Sequence, residues 1–123
     1  MPKMRIYKEF RFDSAHWLPN VPPTHKCANM HGHTYYVEIH VEDELDPRLG
    51  WVLDYNDLRK VVEPLIDRVD HKVLNEIPGM ENPTAEFMAL WFWNQIKPQL
   101  PQLCQVVVKE NPTNVCSYSG DEM

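Results

Sequence analysis

Two long stretches of alternating side chains constrain this fold more than any other feature. From Lys3 to His16 one parity carries Arg5, Glu9, Arg11 and Asp13, and the other, with Lys8 as the exception, holds Met4, Ile6, Phe10, Phe12 and His16. After a Pro-rich loop over residues 18–30, a second stretch places on one parity His31, His33, Tyr35, Val37, Ile39 and Val41. This period of two predicts two half-buried strands separated by the loop. His40 falls on the opposite parity, so we expect it to be exposed.

The remaining sequence predicts two helices and then two strands. Apolar residues recur at helical spacing from Leu58 to Val69, after three candidate N-cap residues, Asp54, Asn56 and Asp57. The motif NPT opens a second helix, AEFMALWFWNQI, whose apolar character almost all round indicates burial on two sides and hence a subunit interface. The segments LCQVVVKE and NVCSYS predict short strands. The order is ββααββ, in an α+β fold.

Length and charge limit the classes of protein to consider. A chain of 123 residues is one domain long, so we expect a single domain over residues 1–123. The net charge is −6 and the basic residues are scattered, so nucleic acid is not an expected partner. No apolar run approaches a membrane span, and no secretory h-region is present, which favours a cytoplasmic protein without a membrane partner. The three cysteines are expected to be thiols.

Three histidines form the strongest candidate site. His16 ends the first predicted strand, and His31 and His33 begin the second on its core-facing parity. Antiparallel pairing across the loop would bring the three imidazoles together. Three protein ligands with an open position are typical of catalytic zinc. Each histidine alone is more simply a structural residue, but their shared placement favours the metal site.

Three residues separate Cys27 from the His31-Gly32-His33 motif. It could be the fourth ligand of a closed zinc site, or a base or nucleophile beside an open one. A thiol in the second role needs activation, because only a few per cent of an ordinary thiol is ionised at neutral pH. Asp70-His71 could supply it, although an Asp-His pair at a helix end also fits capping and helix-dipole interactions.

Glu110 ends an apolar strand on the same parity as Val106 and Val108, so its carboxylate is predicted to face inward. Such a group is costly to bury unless it is paired or binds a ligand. It could accept two hydrogen bonds from the N–H edge of a guanidine-like heterocycle, or pair with an internal Arg or Lys. These residues alone do not choose between the two.

The motifs FDSAHWLP, HKCANMHGH, GWVLDY, VDHKVLN, NPTAE and VVVKE, in this order, span nearly the whole chain. The chain resembles the 6-pyruvoyl-tetrahydropterin synthase family, and most closely its bacterial carboxy-forming branch in queuosine biosynthesis. The resemblance implies a T-fold, in which a four-stranded antiparallel sheet carries two helices on one face. It also implies trimers that pair into a homohexamer.

The same resemblance implies roles for individual residues. The implied zinc ligands are His16, His31 and His33. The implied catalytic residues are Cys27 with Asp70 and His71, the last two acting from a neighbouring subunit. Glu110 matches the carboxylate that anchors the pterin ring, and Thr84 lies in the motif that lines the pterin pocket.

The implied substrate is 7,8-dihydroneopterin triphosphate. Three residues separate Cys27 from His31, as in the carboxy-forming branch, whereas the pyruvoyl-forming branch usually has five. Three alternatives stay open: a pyruvoyl-forming synthase, a non-catalytic zinc module with Cys27 as fourth ligand, and a zinc hydrolase. The hydrolase is less attractive because the sequence places no obvious general-base Glu beside the histidines.

Overall fold

The computed structural model describes residues 1–120. The predicted domain over residues 1–123 therefore extends three residues past the described part of the chain. Its sheet contains β1 (Lys3–His16), β2 (His31–Glu44), β3 (Leu103–Asn111) and β4 (Asn114–Tyr118). These strands lie in the order β1-β2-β3-β4, and all neighbours are antiparallel. Helices α1 (Tyr55–Val69) and α2 (Ala85–Ile96) connect β2 to β3. The predicted ββααββ order and α+β fold are confirmed.

The register between β1 and β2 positions the histidines. The two strands pair over their full length, from Lys3 opposite Glu44 to His16 opposite His31. Their alternating apolar side chains face the helices, and Phe12 stacks on Tyr35 with ring centroids 5.0 Å apart. The pattern of period two therefore puts His16 at the end of the core-facing row.

Side-chain caps begin both helices. Asp54, one of the three predicted candidates, accepts a hydrogen bond from the Asn56 backbone N–H at α1. Thr84 accepts one from the Phe87 N–H at 3.1 Å and so caps α2. Such caps satisfy backbone donors that have no partner inside the helix.

Helix α2 packs into the core but is only partly covered within this chain. Its buried residues are Met88, Ala89, Trp91, Phe92 and Ile96. Trp93 packs on Tyr118, whereas Phe87 is 47% exposed. Burial on a second side stays a prediction for Phe87. Neither helix in the described residues is long and apolar enough to span a membrane.

The sheet face that the helices leave uncovered carries an ionic network. Lys109 lies 2.8 Å from Glu38 and 3.4 Å from Glu9. His40 contacts Glu38 at 2.8 Å and stacks on Tyr7, with ring centroids 4.5 Å apart. The prediction that His40 is exposed is therefore wrong, because its neighbours on the same face cover it and leave only 12% of its side chain exposed.

Candidate metal centre

The three predicted histidines meet at the end of the β1–β2 pair. Their ring centroids are 4.6 to 5.2 Å apart, and the Nε2 atoms of His16 and His31 are separated by 3.0 Å. His16 is only 1% exposed, while His31 and His33 are half-buried beside a cavity. The predicted convergence is thus present in one chain.

Backbone carbonyls fix the orientation of two of the rings. His16 Nδ1 donates to the Pro83 carbonyl, and His31 Nδ1 donates to the Asn29 carbonyl, each at 2.8 Å. A neutral ring that is protonated on Nδ1 carries its lone pair on Nε2. Two such lone pairs 3.0 Å apart repel each other unless a proton or a metal ion lies between them. Metal-binding histidines characteristically donate their other ring N–H in this way.

Burial favours the neutral, metal-binding form of two of these imidazoles, His16 and His33. It lowers the pKa of His16, and the neighbouring rings of His31 and His33 act in the same direction, against the Pro83 hydrogen bond and the Glu110 charge. Burial also lowers the pKa of His33. Neutral imidazole, not imidazolium, is the metal ligand.

Glu110 completes the cluster. Its Oε1 atom lies 2.9 Å from His33 Nε2 and 3.8 Å from His16 Nε2, and its side chain is 26% exposed. The inward orientation is confirmed. In the described residues its ionic partners are these histidines, so the predicted alternative of an Arg or Lys partner is wrong.

The donor set fits a first-row metal ion. Ligand atoms of His16, His31, His33 and Glu110 all lie within 4.8 Å of one another. Among the described residues, the buried His33 Nε2 has no hydrogen-bond partner despite its proximity to Glu110, so it is available to bind a metal ion. Three imidazoles and a carboxylate suit zinc, and they also accept neighbouring transition metals.

Cys27 lies beside this cluster but does not belong to it. It occupies a short 3-10 turn, Lys26–Ala28, where its N–H donates to His25 Nδ1 at 3.0 Å. Within the described part of the chain, its sulfur is not among the clustered ligand atoms. Cys27 instead lines a cavity of about 380 Å³ together with His31, His33 and Glu110. This placement does not support the closed site with Cys27 as fourth ligand.

Asp70 and His71 pair with each other at the end of α1. His71 Nδ1 lies 3.0 Å from Asp70 Oδ1, which also accepts the Asp13 N–H at 3.0 Å. The hydrogen bond from the Asp13 backbone lowers the pKa of Asp70, and the contact with His71 lowers it to a smaller extent. His71 is 77% exposed and has a left-handed backbone, with φ of 57°.

His71 and Cys27 line different cavities of the same chain. His71 borders a cavity of about 770 Å³ with Asp13 and Lys72, and His33 lines both this cavity and the smaller one. A single chain therefore does not bring His71 into the cavity that contains Cys27. The two residues would share a site only if His71 came from another copy.

Thr84 uses its side chain to cap α2, as described above, and follows the Pro83 carbonyl that orients His16. The motif NPT therefore connects the start of α2 to the metal cluster. The sequence indicated a helix start at this motif, but no residue pattern signalled the carbonyl contact of Pro83 or that of Asn29.

Tyr35 is a neighbour of the cluster to which no sequence pattern assigned a role. It is fully buried, and its ring packs edge-on against His16 and His33, at 5.9 and 5.4 Å between centroids. Its hydroxyl has no hydrogen-bond partner within residues 1–120. Burial, helped by the Glu110 charge, raises the pKa of Tyr35, so the hydroxyl keeps its proton.

Comparison with known proteins agrees with this geometry. The 6-pyruvoyl tetrahydropterin synthase family matches residues 5–121. A 6-carboxy-5,6,7,8-tetrahydropterin synthase from Synechocystis is 34% identical over 92% of this chain and 91% of its own. A dihydroneopterin monophosphate aldolase from Pyrococcus furiosus is 38% identical over 80% of each chain. The structure of Caenorhabditis elegans 6-pyruvoyl tetrahydropterin synthase matches with a TM-score of 0.91, at 27% identity, over 98% of each chain.

The fold and the histidine cluster define a T-fold protein with a candidate metal centre, as expected. The chain belongs to the 6-pyruvoyl tetrahydropterin synthase family.

Proposed function

We propose that this protein is a zinc-dependent 6-carboxy-5,6,7,8-tetrahydropterin synthase of queuosine biosynthesis. Its substrate is 7,8-dihydroneopterin triphosphate, and it releases acetaldehyde and triphosphate. The observation that carries the proposal is the cavity where Cys27 and Glu110 stand beside the converging imidazoles. A thiol outside the ligand cluster is free to transfer protons at that cavity.

The choice of the carboxy-forming branch is supported by sequence. Three residues separate Cys27 from His31, and the Synechocystis relative carries the name of this activity. Relatives with the other activities are similarly close, so the product has to be identified directly.

Each site residue has a distinct role in this proposal. When bound, zinc supplies a Lewis acid that makes protons of the substrate side chain easier to remove. Cys27 carries protons between side-chain positions, and Asp70-His71 activates its thiol. Glu110, with Thr84 nearby, holds the N–H edge of the pterin ring. This positioning makes the proton transfers effectively intramolecular.

The separate cavities of Cys27 and His71 support an active site shared between subunits. We propose a homohexamer, built as a dimer of trimers, whose active sites combine Cys27 of one subunit with Asp70-His71 of another. The exposed Phe87 on apolar α2 is consistent with a further packing surface. We place the protein in the cytoplasm.

Mass spectrometry of the products tests the proposal. Zinc-loaded protein is incubated with 7,8-dihydroneopterin triphosphate, with Cys27→Ala as the inactive control. The expected products are 6-carboxytetrahydropterin and acetaldehyde. Accumulation of 6-pyruvoyl-tetrahydropterin alone would assign the protein to the pyruvoyl-forming branch. Unchanged triphosphate together with cleavage of dihydroneopterin monophosphate would favour an aldolase.

A further inference from the structure

The Glu110 carboxylate cannot bind a pterin ring and lie among the imidazoles at the same time. The proposed function requires it to bind the N–H edge of a pterin, yet in the structure its Oε1 atom lies among the imidazoles. Every close ionic contact that the described residues give it is with His33 or His16.

The distances around Oε1 are those of a metal ligand. Two ligand atoms at 2.0–2.1 Å from a tetrahedral ion are roughly 3.3 Å apart. The observed separations of 2.9 Å to His33 Nε2 and 3.8 Å to His16 Nε2 lie on either side of this value. His33 Nε2 forms no hydrogen bond with the carboxylate, so a hydrogen bond does not explain their close approach, whereas a metal ion bound by both atoms would.

The surroundings also leave the carboxylate room to turn. Glu110 is the last core-facing residue of β3, and 26% of its side chain is exposed. It borders the cavity of about 380 Å³ that contains Cys27 and another of about 400 Å³ next to Glu86. No Arg or Lys among the described residues forms an ion pair that would hold it in place.

We propose that Glu110 is an exchangeable fourth ligand. It coordinates the metal ion while the site holds no pterin, and it leaves the ion to accept two hydrogen bonds from a pterin ring. The exchange opens the fourth coordination position only when the ring is seated. The identity of the ring as a pterin rests on the proposed function, whereas the contact of Glu110 with the metal does not.

The exchange implies a measurable antagonism between ring and metal. If one carboxylate serves both, binding of a ring that brings no replacement ligand weakens metal binding, and the metal weakens ring binding by the same factor. The suitable probe is pterin itself, which lacks the oxygen-bearing side chain of the substrate. A carboxylate reserved for the ring would produce no such coupling.

The experiment measures the dissociation constant of Co²⁺ by chelator competition, with and without saturating pterin, in the full-length protein. The wild type is compared with Glu110→Gln and with Glu86→Gln, a control that removes a neighbouring carboxylate. Visible absorption of the Co²⁺-loaded protein reports the ligand set, and pterin fluorescence reports ring binding separately.

We expect Glu110→Gln to weaken Co²⁺ binding more than ~10-fold, since even the loss of an outer-sphere partner costs that much. Glu86→Gln should bind as the wild type does. Pterin should raise the wild-type dissociation constant at least ~5-fold, within the usual range of coupling between sites, and change the absorption spectrum. Glu110→Gln should show neither effect.

Unchanged Co²⁺ affinity in Glu110→Gln would overturn the metal contact. The exchange would be overturned if Glu110→Gln binds Co²⁺ more weakly but pterin leaves the Co²⁺ affinity of the wild type unchanged. If the wild type does not bind pterin, both the exchange and the proposed substrate class are overturned. The Co²⁺ affinity of Glu110→Gln still decides whether Glu110 contacts the metal.

Discussion

The Nε2 atoms of His16 and His31 lie 3.0 Å apart while both rings donate their Nδ1 hydrogens to backbone carbonyls. The strand register brings the two residues opposite each other, and the carbonyls of Pro83 and Asn29 set the ring orientation. When both rings are neutral, their Nε2 lone pairs face each other, and a proton or a metal ion between them relieves the repulsion. Local backbone structure thus prepares the cluster for metal.

Acidification should destabilise the metal-free protein. Burial lowers the pKa of His16 and His33 below the ordinary value of 6.5. As the pH falls through 6.5 toward these lower values, the unfolded chain takes up more protons than the folded one, so the free energy of unfolding decreases. Each histidine contributes at most about 1.4 kcal/mol per pH unit.

Urea unfolding of the metal-free protein at about pH 7.5 and about pH 5.5 measures this loss. The lowered pKa values of Asp70 and Glu38 place their effects at still lower pH. His33→Asn should show a shallower dependence than the wild type. Equal slopes in the two proteins would contradict the expectation for His33.

Tyr35→Phe should leave the free energy of unfolding unchanged or raise it by up to about 1 kcal/mol, because a buried hydroxyl without a partner is costly. Tyr35→Ala, which also leaves a cavity in the core, should lower the free energy of unfolding by about 3–5 kcal/mol. Chemical denaturation measures both. A loss above about 1 kcal/mol in Tyr35→Phe would mean that the hydroxyl has a partner in solution.

Thr84→Ala should lower the free energy of unfolding by about 1 kcal/mol, because it removes the cap of α2, and Thr84→Ser should retain it. Asp54→Ala is the matched control, since it removes the cap of α1. If Thr84 also lines the pterin pocket, only Thr84→Ala should raise KM. Equal KM values in the two alanine variants would limit Thr84 to capping.

His71→Asn should abolish turnover but preserve the fold, because Asn tolerates the left-handed backbone found at this position. Turnover and thermal unfolding are measured together. A β-branched His71→Val should in addition destabilise the protein. Normal turnover in His71→Asn would remove His71 from the proposed mechanism.

Mixing two inactive variants tests whether active sites are shared between subunits. Cys27→Ala and His71→Asn are each expected to be inactive, but subunit exchange should restore part of the activity, because some interfaces then combine an intact Cys27 with an intact His71. A double variant carrying both changes, mixed with either parent, shows the background. No recovery after verified exchange would place both residues in one subunit.

Residue patterns were sufficient to predict the strands, the helices and the convergence of the histidines. Alternation along β1 and β2 fixed which parity is buried, and so put His16 on the same face as His31 and His33. The NPT motif gave the start of α2 because its threonine is a local cap. Strand alternation and helix capping can be predicted because both depend on residues that are close in sequence.

What the patterns missed depends on contacts between distant segments. Pro83 contributes only its backbone carbonyl to His16, which no side-chain pattern reveals. Glu110 was predicted to face inward, but its histidine partners depend on how far β3 extends beside β2. His40 is covered by Tyr7 from the adjacent strand, so parity alone gave the wrong exposure.

X-ray absorption spectroscopy of the zinc-loaded protein is the most direct test of the central claim that the histidine cluster holds the metal while Cys27 stays free. Zn–N and Zn–O bonds are about 2.0–2.2 Å long, whereas Zn–S bonds are about 2.3 Å. We predict a first shell made only of nitrogen and oxygen. A sulfur scatterer in that shell would place Cys27 on the zinc and contradict its proposed role in proton transfer.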